Sequence, residues 1–153
     1  MNFHNPKVLI VDDEEHVREL LSNMMNSINF GTIKQASNGE EAIEMFNKDQ
    51  PDLMILDINM PIKTGEEVLQ CIRNKTEETC IIILTLFSDE ETVKKCISLG
   101  AEYFIVKDMP LPKILKVIEE KWGEFKKKQK EKLSRKYDLS KILQEVNEEE
   151  KIY

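Results

Sequence analysis

The sequence predicts a doubly wound α/β domain, a parallel sheet with helices on both faces, followed by a charged helical extension. Three observations predict it. Short apolar runs alternate with amphipathic stretches five times along the chain, the order produced by parallel strands joined through crossover helices. The first, third and fourth runs are apolar at nearly every position, as strands covered on both faces must be. The chain has 153 residues, 41% of them hydrophobic, enough for one such core and some additional length.

The expected strands are residues 7–11 (KVLIV), 32–36 (TIKQA), 52–56 (DLMIL), 80–85 (CIIILT) and 102–106 (EYFIV). Their Val, Ile and Phe suit a pleated, buried surface. After the first strand, Val17, Leu20, Leu21, Met24, Met25 and Ile28 recur at helical spacing and form one apolar stripe. Ala42, Ile43 and Phe46 do so after SNGEE, where Ser37 or Asn38 can cap the helix. Val68, Leu69 and Ile72 mark a third helix, and Val93, Ile97 and Leu99 a fourth. Ile114, Leu115, Ile118 and Trp122 mark a fifth, begun near Pro110 and Pro112, residues that suit a first turn.

Charge and composition narrow the function. Net charge is −7 and the pI about 5.0, which argues against coating nucleic acid by bulk charge. Three scattered cysteines, Cys71, Cys80 and Cys96, make neither a disulfide framework nor a zinc site. No apolar run is long enough to span a bilayer, and the N-terminal stretch lacks the pattern of a signal peptide. A cytoplasmic setting is expected. His4 and His16 are read as solvated.

In a doubly wound sheet the functional crevice lies beyond the carboxyl ends of the strands. Asp57 stands there, ending the apolar run PDLMIL. Asp12 and Asp13 end the first run, Thr85 ends the fourth, and Lys107 follows the fifth. If the first and third strands are neighbours, three carboxylates converge, and their mutual repulsion calls for a cation. Magnesium binds through a few carboxylates while keeping water. The first loop carries acids where a phosphate-cradling loop would carry glycines. A carboxylate nucleophile, a cation, a hydroxyl and an ammonium together suit phosphoryl transfer. Alone, Asp12 and Asp13 would read as caps of the first helix.

The motifs VDDEE, SNGEEA, LDINMPIKTG, the LT that ends the fourth strand, and LGAEYFIVK span roughly residues 5–122. Together they resemble the receiver domain of response regulators, the CheY-like phosphoacceptor module of two-component signalling. The resemblance implies a five-stranded sheet in the order 2-1-3-4-5, an order known for a chemotaxis member of that family. It implies Asp57 as phosphoacceptor, and Mg2+ held by Asp12, Asp13, Asp57 and the backbone carbonyl of Asn59. Thr85 would be the switch hydroxyl, Lys107 the phosphate contact, and Phe104 an aromatic that changes rotamer on phosphorylation. Gly65 and Gly100 match turn positions. A sensor histidine kinase or phosphotransfer protein would donate the phosphoryl group. An output protein would read it, with homodimerisation through the helix 4–strand 5–helix 5 face or through the tail. Two features depart from the pattern. Leu86 and Phe87 follow Thr85 where a small residue is usual. Asp108 follows Lys107 where proline is usual, often through a cis bond.

The resemblance places the receiver at residues 1–125 and leaves residues 126–153 as a charged tail. Residues 126–136 carry seven basic residues and Glu131, whereas residues 137–153 carry five acids and two lysines. The receiver part is about −10. No glycine or proline interrupts residues 124–153, so the fifth helix should continue past Trp122. A second helix is expected from about Ser140, capped by Asp138 or Ser140, with Leu139, Ile142, Leu143 and Val146 as its stripe. Leu133 and Tyr137 add to the apolar residues needing burial. The tail is too short for a DNA-reading domain. A single-domain phosphoacceptor that signals by binding a partner is the expected function. A receiver without regulated phosphorylation, and a phosphohydrolase working through an aspartyl phosphate, are the alternatives. The latter rests on the weak resemblance of DIN to an Asp-x-Asp nucleophile motif, in which the second acid is here Asn59.

Overall fold

The computed structural model describes residues 4–86 and 89–150, with side chains through residue 148. Five strands alternate with five helices: β1 (Lys7–Val11), α1 (Glu15–Ser27), β2 (Thr32–Ala36), α2 (Gly39–Lys48), β3 (Leu53–Leu56), α3 (Gly65–Arg73), β4 (Cys80–Thr85), α4 (Glu90–Ser98), β5 (Tyr103–Val106) and α5 (Leu111–Glu150). All neighbouring strands are parallel, in the order β2-β1-β3-β4-β5.

Alternation along each strand divides the core into two layers, because successive side chains point to opposite faces. Leu9, Val11, Met54, Leu56, Ile81 and Ile83 pack with Phe46, Val68, Leu69, Ile72 and Cys96 from α2, α3 and α4. Val8, Ile10, Leu53, Ile55, Ile82 and Leu84 pack with Leu21 and Met25 of α1 and with Ile114, Ile118, Trp122 and Phe125 of α5. Trp122 and Phe125 stack with ring centroids 5.9 Å apart.

Local chemistry sets the helix starts. Asn38 accepts from the Glu41 N–H at the start of α2. Thr64 and Glu67 form a capping box on α3, satisfying two backbone donors reciprocally. Asp89 accepts from the Thr92 N–H on α4.

Three expectations need correction. Strands β3 and β5 each begin one residue later than predicted; Asp52 instead turns its carboxylate to the Lys7 N–H at 2.9 Å. On α1 only part of the predicted stripe is buried, since Leu20 and Ile28 are exposed, and on α4 Ile97 is exposed while Cys96 is buried. The tail holds no second helix: α5 runs unbroken from Leu111 to Glu150. Ser140 sits within it, its hydroxyl donating to the Lys136 carbonyl at 2.9 Å.

Candidate functional site

Parallel register brings the strand ends together. Val11 pairs with Leu56, Leu56 with Ile83, and Thr85 with Val106. The next residue of each strand therefore opens onto the same edge. Asp12, Asp13 and Asp57 each offer a carboxylate oxygen within 4.8 Å of the others. Asp12 and Asp57 are buried and Asp13 is exposed.

Each group is held from several sides. The Asp12 carboxylate accepts from the Glu14 N–H at 3.0 Å, and its backbone carbonyl accepts from the Arg18 guanidinium at 2.7 Å. The Asn59 N–H donates to Asp57 Oδ1 at 3.3 Å, and the Asn59 side-chain amide donates to the Thr85 hydroxyl at 3.3 Å. Thr85 is fully buried. The Lys107 ammonium donates to Asp12 Oδ2 and lies 3.9 Å from Asp57 Oδ2. The peptide bonds around it are trans, no cis bond occurring among the described residues.

Gly65 lets the loop after β3 close against this edge. A Cβ there would lie 2.3 Å from the Asp57 carbonyl oxygen, so no other residue fits without moving the acceptor strand. The same loop carries Ile62 at φ 69°, a left-handed conformation uncommon for a β-branched residue. Gly100, at φ 103°, fits its expected turn.

Burial pushes the Asp57 carboxyl above the usual carboxylate range. Lys107 pulls it down, the Asp12 charge adds to the rise, and the Thr85 hydroxyl and Asn59 N–H act with the lysine. Three acids and one ammonium leave an excess of negative charge in a largely buried place. That donor set, all hard carboxylate oxygens, fits a divalent cation such as Mg2+.

Phe104 pairs with Ile83 in the sheet and packs, partly buried, against the layer covered by α2, α3 and α4. Leu86 is 52% exposed beside Val17, Leu20, Lys107 and Met109, so it borders the site on its α1–α5 side. Phe87 lies outside the described residues. His16 is exposed, 3.3 Å from Glu14. Two contributors escaped the sequence reading. Arg18 reaches Asp12 from the first turn of α1, and the Asn59 amide reaches Thr85. Neither spacing announces such a contact.

The profile of the response regulator receiver domain matches residues 8–119. The chain belongs to this family. The receiver is 36% identical over 114 residues to the chemotaxis protein CheY of Halobacterium salinarum, covering 74% of this chain and 94% of that protein. It is 33% identical over 123 residues to the C4-dicarboxylate response regulator DctR of Bacillus subtilis, covering 80% of this chain but 54% of that longer protein. Among solved structures, the chemotaxis protein CheY4 of Vibrio cholerae superposes with a TM-score of 0.70 at 29% identity, covering 76% of this chain and 98% of its own. Receiver domains are phosphoacceptor signalling modules rather than turnover enzymes, and Mg2+ at an acidic pocket is typical of them. Among the described residues no helix is long and apolar enough to cross a membrane.

Proposed function

We propose that Asp57 is the phosphoacceptor, taking a phosphoryl group from a histidine kinase or phosphotransfer protein in the cytoplasm and signalling through a bound partner. One observation carries the reading. Asp57 is a buried carboxylate within reach of two other acids and an ammonium, at a strand end where its carbonyl abuts Gly65.

An Asp57 carboxylate oxygen would attack the phosphorus. The acyl phosphate O–P bond forms as the donor's N–P bond breaks, and the donor imidazole leaves. Asp12, Asp13, Asp57 and the Asn59 carbonyl would hold Mg2+, which supplies positive charge against the phosphoryl oxygens. Lys107 would turn to a phosphoryl oxygen, and Thr85 would donate its hydroxyl to another. Phe104 would then repack, carrying the change to the α4–β5–α5 face. Residues 126–153 would serve as a segment distinct from the phosphoacceptor part, residues 1–125.

The test is intact-mass measurement after incubation with acetyl phosphate, where acetate is the leaving group. A single phosphoryl adduct that needs Mg2+ and vanishes in Asp57→Asn is expected. An adduct that survives Asp57→Asn overturns the assignment. No adduct under any condition favours an interaction module without phosphorylation.

A further inference from the structure

The distal half of α5 lacks the packing that ordinarily stabilises a helix. The helix runs 40 residues from Leu111 to Glu150, but its deeply buried residues end at Phe125. Beyond that point ion pairs tie it to the receiver, Lys128 with Glu102 at 3.7 Å and Lys132 with Glu77 at 3.6 Å. A solvated helix of this length gains little without an amphipathic face to bury.

Such a face exists. At about 100° per residue, Leu139, Ile142, Leu143 and Val146 fall within an arc of about 100°. Leu133 and Tyr137 project about 130° and about 170° away from its centre and do not belong to it. The four side chains are 47% to 62% exposed. They are flanked by basic Arg135 and Lys136 on one side and by the acidic run Glu148, Glu149 and Glu150 on the other.

We propose that this face pairs with the same face of a second copy, antiparallel. The charge order selects both the occupant and the direction. Setting position 142 opposite 143 of the other chain puts Leu139 against Val146, and positions 135 and 136 against positions 150 and 149. Each basic flank then meets an acidic flank, twice over by symmetry. A parallel pair would set basic against basic and acid against acid. The overlap covers about sixteen residues, roughly 24 Å of helix. It stops short of Lys128 and Lys132, so their ties to the receiver persist. It also places the two acidic receivers at opposite ends of the helix pair, where they repel least. With four apolar side chains per chain the contact is small, and the dimer forms reversibly.

Sedimentation equilibrium of the full chain tests this. The expected result is a monomer–dimer equilibrium that weakens at high salt. Ile142→Lys should abolish it. Reversing Arg135→Glu and Lys136→Glu should weaken dimerisation about tenfold or more, and adding Glu149→Lys and Glu150→Lys to that variant should restore it. Arg135, Lys136 and Ile142 are exposed in the monomer, and circular dichroism verifies that each variant keeps its helix. A chain that stays monomeric at every concentration overturns the proposal and leaves the face to a different partner. Reversal without effect, or a quadruple variant that fails to recover, overturns the antiparallel order.

Discussion

Lys107 occupies the position that a bound cation would contest. Its ammonium donates to Asp12 and stands near Asp57, largely out of solvent, so it compensates carboxylates that would otherwise repel. Removing one partner of a buried charge set leaves the others uncompensated. Lys107→Met should therefore lose about 3 kcal/mol in urea unfolding without divalent cations. Mg2+ should raise the melting temperature of this variant more than that of the wild type. An equal or smaller rise would mean that the lysine does not compete with the metal. Gly65 offers a cleaner steric test. The Cβ of Gly65→Ala would meet backbone, and overpacking of this kind costs about 1–3 kcal/mol. Gly123→Ala is the counterpart: nothing lies within 4 Å of its Cβ position, and replacing a mid-helix glycine should gain about 0.5–1 kcal/mol. If both variants melt alike, the contact at Gly65 is not constraining. Among the cysteines, burial pushes the Cys96 thiol up to about 11 and raises Cys80 further, so both should resist thiol reagents at pH 8 until urea exposes them.

Among the helices, α4 is the least anchored, with Cys96 its one buried residue. Ile97 is exposed nearby, and Tyr103 of β5 is exposed under the Lys121 ammonium, 4.2 Å from its ring centre. A weakly packed helix beside a half-exposed strand is the kind of element that shifts at low cost. On phosphorylation, amide chemical-shift changes should extend from Thr85 into α4 and β5, and hydrogen exchange in α4 should be faster than in α3. Changes confined to the loop after β3 would break the proposed coupling through Phe104. The strands were the most legible elements. β1, β2 and β4 have the predicted bounds. The starts of β3 and β5 were blurred because the preceding residue already bonds to the neighbouring strand, the Asp52 N–H to the Lys7 carbonyl and the Glu102 N–H to the Ile81 carbonyl. Periodicity alone did not separate buried from exposed stripe residues. Leu20 and Ile97 have helical spacing, but α1 and α4 each turn a narrower arc to the sheet than their apolar residues span.

For the whole molecule, the fold class was legible in the sequence, and the convergence of Asp12, Asp13 and Asp57 followed once the resemblance set β1 beside β3, because parallel neighbours end on one edge. The partner of Lys107 was not legible. A long side chain chooses among acceptors by three-dimensional reach, which its position in sequence does not encode. The tail was legible as helix and misread as two helices, since Asp138 and Ser140 look like caps. With no glycine or proline to break it, the helix continued through both. Truncation after Phe125 should leave folding and Asp57 labelling intact, with stability changed by less than about 1 kcal/mol, because the lysine of each lost ion pair is exposed. Truncation before Trp122 should unfold the chain, since Trp122 and Phe125 belong to the core. Unfolding of the longer fragment would place the tail in the core after all.

The acidic cluster opens at the carboxyl ends of the strands, whereas Glu77 and Glu102, which tie down the long helix, precede β4 and β5 at the opposite edge. Chemistry and tether thus share a sheet but no residues. Mutation can lengthen, recharge or exchange the tether without disturbing the carboxylates. A lineage built this way can change the company its receiver keeps while inheriting the acidic cluster unaltered, and a designer can graft a different helix after Phe125 on the same terms.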